Sequence, residues 1–271
     1  MDTVLPEWQV RDNTDEDEVQ SLLEQDRIWN SFALADLLPP FREYSRFLTA
    51  THPGDKPSAL LLIVQHPGFT TVSPFGDAAG VEAILKQTAL PATALIQTSA
   101  THQALLERFY QPAPVWREML RMAVTAQTFI PQYGDEQIAC LTMDDLTEIN
   151  DLYQLFLEAH FRPELLAQES FHGLRVNGRL RAIAGTHVVD EQHGIAVVGS
   201  VFTHPEARGR GYAGAVVSAL VANLLNRGCR DVVLNVFATN TPAIAVYQRL
   251  GFQTRHHVWS GPAERRAEAS S

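Results

Sequence analysis

The chain has 271 residues, of which 45% are hydrophobic and 19% charged, and this composition describes a globular protein that buries a core. Its net charge of −10 disfavours binding to nucleic acid or membranes, because both bind basic faces, but it is compatible with a cationic amine substrate. The sequence shows neither a signal pattern nor an apolar run of ~20 residues, and its two cysteines make no disulfide framework, so we expect a cytoplasmic protein.

The first 134 residues are expected to form an α+β domain. Their pattern predicts a helix from the acidic cluster 12–18 to Leu23, a helix over 28–38, a strand over 59–64, helices over 78–87 and 101–110 around a short strand at 92–97, and a strand over 115–124. Residues 131–136 are expected to be a linker.

Residues 135–260 form the second predicted domain, and 261–271 a flexible tail. The predicted order is a strand over 138–141, a helix over 146–159, a short helix from Pro163, strands over 171–176, 179–189 and 195–203, a helix ending at Gly228, a strand ending near Val236, and a helix over 242–250 before the last strand. Asn177-Gly178 is a strong hairpin signal.

The most informative stretch is 199–213, which reads Gly-Ser-Val-Phe-Thr-His-Pro-Glu-Ala-Arg-Gly-Arg-Gly-Tyr-Ala. It predicts the end of a buried strand, a tight turn and the start of a helix. A helix whose first turn is Gly-Arg-Gly presents unpaired backbone N–H groups at the positive end of its dipole. Glycine lets a phosphate approach the backbone, and Arg208 and Arg210 add charged donors. The stretch therefore predicts an anion site, with a solvated turn as the alternative.

A second motif follows downstream, where residues 240–252 read Asn-Thr-Pro-Ala-Ile-Ala-Val-Tyr-Gln-Arg-Leu-Gly-Phe. Residues 208–213 fit the pattern Arg/Gln-x-x-Gly-x-Gly/Ala. In this order and spacing the two motifs resemble the signatures of the GNAT superfamily of N-acetyltransferases, over about half of the chain from near Ile138 to Trp259. The resemblance implies an α+β fold of the α/β sandwich type, with a central mixed sheet flanked by helices.

The resemblance also implies acetyl-CoA as co-substrate and no metal. The pyrophosphate would lie on 208–213, the pantetheine arm would run between the strands that end at Thr203 and Val236, and a backbone N–H of the central strand would polarise the acetyl carbonyl. The cofactor-binding residues implied are Val201, Phe202, Thr203, Arg208, Gly209, Arg210, Gly211, Tyr212, Ala213, Asn235, Asn240, Ala243 and Tyr247.

Tyr247 is the candidate general acid. A phenol of pKa ~10 stays protonated at neutral pH, whereas a thiol has a pKa near ~8.5, so a tyrosine can donate to the departing sulfur. The alternative is a core tyrosine packed on the sheet. Asn240 is expected to cap the helix and also to touch the cofactor, and Asn235 either binds pantetheine or caps a strand end.

The general base stays open. Many GNAT enzymes place a glutamate on the central strand, but 195–203 contains no carboxylate here. His187, His172, Glu169 or a chain of water molecules could remove the proton from the amine, since a neutral imidazole suits that task near pH 7. A structural or surface role is the simpler interpretation for each of these three residues.

The N-terminal half shows a faint repeat of the second half, because residues 95–110 echo the strand, turn and helix of 234–250. The equivalent of the phosphate loop, around 75–80, has no arginine and contains Asp77, which would repel phosphate. Our hypothesis is a degenerate GNAT-like domain without cofactor that shapes the acceptor pocket. An unrelated α+β domain is the alternative.

These observations together predict an N-acetyltransferase that moves an acetyl group from acetyl-CoA to the primary amine of a small molecule, amino acid or peptide. The alternative is a non-catalytic acyl-CoA-binding sensor. A nucleotide-phosphate enzyme is disfavoured, because the loop lacks the lysine and Ser/Thr of the P-loop. We expect a monomer or homodimer.

Overall fold

The computed structural model of the protein describes residues 8–12, 14–132, 137–155, 166 and 170–267. The chain divides into two compact units, Met1–Leu120 with His256–Ser271, and Arg121–Arg255. The predicted short helix from Pro163 and the candidate base Glu169 lie outside the described residues. In the part of the chain that the structure describes, no helix is long and apolar enough to cross a membrane.

The strands are β1 (Gln9–Asp12), β2 (Ser45–Thr51), β3 (Ala59–His66), β4 (Phe69–Gly76), β5 (Thr93–Thr98), β6 (Tyr110–Pro112), β7 (Arg117–Val124), β8 (Gln137–Cys140), β9 (Phe171–Val176), β10 (Arg179–Asp190), β11 (Ile195–Thr203), β12 (Asp231–Phe237) and β13 (Gln253–Arg265). The helices are α1 (Glu16–Leu23), α2 (Ser31–Ala35), α3 (Ala78–Gln87), α4 (Ala100–Phe109), α5 (Leu146–Tyr153), α6 (Tyr212–Asn226) and α7 (Thr241–Arg249).

The first unit is built on the sheet β1-β2-β3-β4-β5. Its first four strands are antiparallel neighbours, whereas β4 and β5 are parallel and paired at Thr71↔Leu95 and Val72↔Ile96. Helix α3 connects β4 to β5, since a parallel pair needs a crossover connection. Its residues Val81 and Ile84 pack with the apolar side chains of β3 and β5 in one core.

The second unit repeats this topology in the sheet β8-β9-β10-β11-β12. Its first four strands are again antiparallel neighbours, β11 and β12 are parallel, and helix α6 is the crossover between them. Both units therefore have the α+β architecture that the sequence predicts, with a mixed sheet and helices.

The two crossover helices begin differently. In the first unit the carboxylate of Asp77 accepts hydrogen bonds from the N–H groups of Ala79 and Gly80, at 2.8 and 3.2 Å. In the second unit Gly211 occupies the cap position and supplies no side chain. The N-terminal unit thus uses its own aspartate where the second unit leaves N–H groups available to a ligand.

The predicted domain limits differ from these units at both ends. Residues 121–132 lie in the second unit, where the Gln132 N–H donates to Ser218 Oγ at 2.8 Å and the Ile130 N–H donates to the Leu250 carbonyl. The prediction of a flexible tail from residue 261 is wrong for residues 261–265, because β13 continues to Arg265 and Ala263 is buried. Pairing of β13 with β5 and β6 holds 261–265 in the first unit's sheet.

Candidate functional site

Strands β11 and β12 separate along their length. They are paired in register from Ile195↔Asp231 to Val198↔Leu234. Strand β11 then continues to Thr203 and β12 to Phe237, but among these described residues the two strands are no longer paired with each other. We call the opening between 199–203 and 235–237 the fork. The main-chain N–H and C=O groups that face each other across the fork therefore do not form the hydrogen bonds that join a paired β11 and β12.

A β-bulge lies on the β11 arm of the fork. Strand β10 advances two residues from Ile183 to Gly185 while its partners on β11 go from Phe202 to Gly199, so β11 contains one extra residue. Ser200 has φ of 52°, in the left-handed region that residues other than glycine rarely adopt. A bulge leaves its extra residue unpaired and turns nearby peptide groups in a new direction.

Tyr153 of α5 fixes this bulge. Its hydroxyl donates to the Ser200 carbonyl at 2.7 Å, and its ring stacks on Phe202 with the centroids 6.0 Å apart. Burial raises the pKa of Tyr153, so the hydroxyl keeps its proton and remains a donor. The Ser200 carbonyl and the Val201 N–H belong to one planar peptide group. The bond to Tyr153 therefore sets the direction of the Val201 N–H, and sequence reasoning missed this residue.

We expect Tyr153→Phe to lower the free energy of unfolding by about 1 kcal/mol, because the variant loses one hydrogen bond and keeps the aromatic stacking. Urea denaturation measures this difference. If the Val201 N–H polarises the acetyl carbonyl, as the resemblance implies, the same variant should also have a lower kcat than the wild type with little change in CoA affinity. A variant with full kcat would assign Tyr153 a purely structural part.

His187 and Gly199 are in close contact on the same face as Tyr153. A Cβ at Gly199 would overlap the His187 imidazole, and a Cβ at Gly185, the cross-strand partner of Gly199, would overlap the Phe171 ring. Phe171 and Tyr153 belong to one core cluster, so these groups share the face that α5 covers. The exposed His187 imidazole thus lies over the first residue of the fork.

The other two candidate bases differ in position. His172 follows Phe171 on β9, so it points to the opposite face of the sheet from Tyr153. Its ring is buried, which lowers its pKa, and its Nδ1 has no hydrogen-bond partner among the described residues. Glu169 lies outside the described residues. Of the two candidate histidines, His187 is the one that the structure brings to the fork.

The predicted phosphate loop is open on its outer side. Gly209 and Gly211 have φ of 76° and 84°, and a Cβ on either would meet no atom within 4 Å. Helix α6 makes its first backbone hydrogen bond from the Ala215 N–H to the Gly211 carbonyl at 3.1 Å. The N–H groups of residues 212–214 therefore have no acceptor within the helix, and they form a cradle at its positive end.

Thr203 and Arg208 connect the loop to the fork. Arg208 Nε donates to the Thr203 carbonyl at 3.4 Å, and its guanidinium lies 6.0 Å from the centroid of the Phe202 ring. The Thr203 hydroxyl is buried and has no hydrogen-bond partner among the described residues. An open cradle next to an unsatisfied hydroxyl fits a ligand with an anionic group followed by a polar chain, as coenzyme A has.

Helix α7 places the second motif. The Asn240 side chain accepts from the Ala243 N–H at 3.3 Å, which confirms its predicted capping role. Tyr247 is the buried residue of this helix, and burial raises the pKa of its phenol to about 12. Asn235, at the start of the β12 arm, accepts a hydrogen bond from Nε of the buried Arg121 at 3.0 Å. No pattern in the sequence indicates a role for Arg121.

Comparison with known proteins identifies the class to which this architecture belongs. Residues 133–252 match the model of the acetyltransferase (GNAT) family. Residues 133–252 are therefore similar to a GNAT acetyltransferase domain. An acetyltransferase of Yersinia enterocolitica is 36% identical over 58 residues, which are 21% of this chain and 41% of that protein. The chain thus matches about two fifths of the length of the curated relatives.

Solved structures extend the likeness to the first unit. A Drosophila protein has a TM-score of 0.68 and 17% identity, covering 97% of this chain and 99% of its own. A tandem GNAT protein from the clavulanic acid biosynthesis pathway has a TM-score of 0.58 and 13% identity, covering 97% and 100%. These low identities show the fold, and the hypothesis of a GNAT-like N-terminal domain is confirmed at that level.

Proposed function

We propose that this protein transfers an acetyl group from acetyl-CoA to the primary amine of a small molecule, amino acid or peptide. The observation that supports this most is the fork, because its bulged arm leads directly into the open glycine cradle at the start of α6. Among the described residues no group of three or more His, Cys, Asp or Glu side chains could hold a metal ion, and the proposal assigns none.

The chain's own groups would hold acetyl-CoA by main chain and charge. The N–H groups of 212–214 and the Arg208 and Arg210 guanidinium groups would bind the pyrophosphate, and the Thr203 hydroxyl would bond to the pantetheine arm. When bound, acetyl-CoA supplies the acetyl group as a thioester. The Val201 N–H, held in direction by Tyr153, would polarise the acetyl carbonyl oxygen.

Two side chains would handle protons. Tyr247, neutral because burial raises its pKa to about 12, would donate from its phenolic oxygen to the departing sulfur. The His187 imidazole lies over Gly199 at the closed end of the fork, where the two strands begin to separate, and it would remove the proton that the amine must lose. Positioning of the two reactants in one fork would supply much of the remaining rate gain.

The deciding experiment is calorimetric titration with acetyl-CoA, followed on the same sample by thiol release across a panel of amines. Binding with turnover on an amine supports the proposal. Binding without turnover on any amine favours the acyl-CoA sensor, and absence of binding contradicts both. Gel filtration with light scattering would test the expected monomer or homodimer.

Gly199→Ala tests His187 without removing it. The new methyl group would displace the imidazole, which is the exposed end of its side chain, so we expect the free energy of unfolding to change by less than about 1 kcal/mol. Turnover should fall on the order of 10²-fold. His187→Ala should cause the same loss, and the double variant no further loss, because both changes remove one function. Additive losses with unchanged CoA affinity would contradict the assignment.

A further inference from the structure

A second cavity, distinct from the fork, lies beside the glycine cradle within the second unit. Its volume is about 450 Å³, and its polar lining consists of Asn177, Arg179, Arg181, Glu206, Arg210 and Tyr212. We call it the arginine cavity. Three guanidinium groups share it with a single carboxylate, in a protein whose net charge is −10. Such a concentration of positive charge is opposite to the overall composition of the chain.

These three arginines are unpaired in the part of the chain that the structure describes. Other arginines do form ion pairs with carboxylates, among them Arg11, Arg27, Arg42, Arg46, Arg108, Arg175 and Arg227. Glu206 lines the same cavity but makes no ion pair there with any of the three. Arg179 and Arg210 are exposed and Arg181 is partly buried, so solvent screens the repulsion between them, and their unpaired donors are accessible to an anion.

The fold directs these side chains to the cavity. The register of β10 against β9 passes from Leu180↔Arg175 to Ala182↔Leu174, so Arg181 is the extra residue of a bulge on β10. The Arg181 carbonyl accepts from the His204 N–H at 2.9 Å, which ties the bulge to the turn before the cradle. Arg210 stands between two glycines in the left-handed region. Bulges and such turns commonly re-aim side chains beside functional sites.

We propose that the arginine cavity binds a phosphate monoester beside the diphosphate that the cradle is proposed to hold, with Arg179 and Arg181 as its own donors and Arg210 shared between the two groups. Guanidinium groups match the oxygens of a phosphate dianion in charge and in forked geometry, and three of them offset the repulsion from Glu206. The phosphate could be the 3′-phosphate of coenzyme A or the phosphate of a separate molecule. The first source rests on the proposed function, whereas the second does not.

Two ligands that differ only in this group separate the sources. Calorimetry should show that the wild type binds coenzyme A at least about 10-fold more tightly than dephospho-coenzyme A. Arg181→Ala and the double change Arg179→Ala/Arg181→Ala should abolish that preference while binding of dephospho-coenzyme A stays constant. Arg181→Lys should keep part of it, and Glu206→Gln should increase it. Arg255→Ala, an exposed arginine of β13 with the same charge change, is the matched control.

The variants should also unfold at about the same temperature as the wild type, because Arg179 is exposed, Arg181 is only partly buried, and neither forms an ion pair among the described residues. Their loss of preference then cannot reflect unfolding. If the two coenzymes bind equally but inorganic phosphate raises the Tm of the wild type and not of the double variant, the cavity binds phosphate from another source. Equal binding of the two coenzymes together with no such phosphate effect overturns the proposal. Failure of both coenzymes to bind contradicts the proposed function, and the phosphate measurement still decides the cavity.

Discussion

Gly211→Trp should abolish detectable binding of acetyl-CoA while the protein remains folded. The backbone at Gly211 has φ of 84°, and a Cβ there points into open space above the cradle. An indole ring in that space would cover the N–H groups of 212–214. The left-handed backbone costs a non-glycine residue about 1–2 kcal/mol, which a folded domain can tolerate. Calorimetry measures the affinity, and circular dichroism the fold.

The other end of the same helix supplies a matched control for this variant. Gly228 follows α6, has φ of 95°, and a Cβ on it would likewise meet no atom within 4 Å. Gly228→Trp therefore introduces the same ring and a similar backbone strain away from the cradle. It should keep the acetyl-CoA affinity of the wild type. Equal loss of affinity in both variants, or none in Gly211→Trp, would contradict the assignment of the loop.

Tyr247→Phe should lower kcat on the order of 10²-fold while the affinity for coenzyme A stays within a few-fold. The change removes one hydroxyl, which contributes only about 1 kcal/mol to ordinary binding, and leaves the ring packed near Phe252. Single-turnover thiol release measures the effect on the chemical step. The matched control is Tyr110→Phe in the first unit, which removes the hydroxyl of another buried tyrosine whose pKa is raised to about 12 and should leave kcat unchanged. Equal rates in Tyr247→Phe and wild type would make Tyr247 a packing residue.

The raised pKa of Tyr247 also has a consequence for stability at high pH. Burial raises its pKa in the folded state from 10.0 to about 12, so between these values the unfolded chain releases a proton that the folded chain keeps. Release of the proton favours the unfolded state, so the free energy of unfolding falls as the pH rises from 10 to 12. Tyr247→Phe should show a shallower loss of unfolding free energy from pH 10 to 12 than the wild type.

The N-terminal unit has the fold of the second unit without its anion cradle. Its crossover helix α3 is capped by the Asp77 carboxylate, which already accepts from the N–H groups of Ala79 and Gly80. A bound phosphate would have to displace this carboxylate and would be repelled by it. The start of α3 therefore differs from the start of α6 in that its N–H groups are occupied by the aspartate that the sequence places there.

The sequence by itself determined the features that depend on neighbouring residues. The glycines of 208–213 and the pattern from the Asn240 cap to Gly251-Phe252 encode their turns and helices locally, so the resemblance to the family and the position of the cradle were predictable. The hairpin at Asn177-Gly178 and the helices 78–87 and 212–226 follow from the same short-range rules. Strand β2 was missed, and helix 28–38 shortens to α2, because packing there overrides a weak local pattern.

Only the tertiary structure decided how the site is assembled. The bulge at Ser200, the bond that Tyr153 makes to it and the position of His187 over Gly199 depend on the register between β10 and β11. The pairing of 261–265 and the arrangement of three arginines around one cavity likewise join residues far apart in the chain. A one-residue change of register alters which groups meet across a sheet, and no local pattern in the sequence records it.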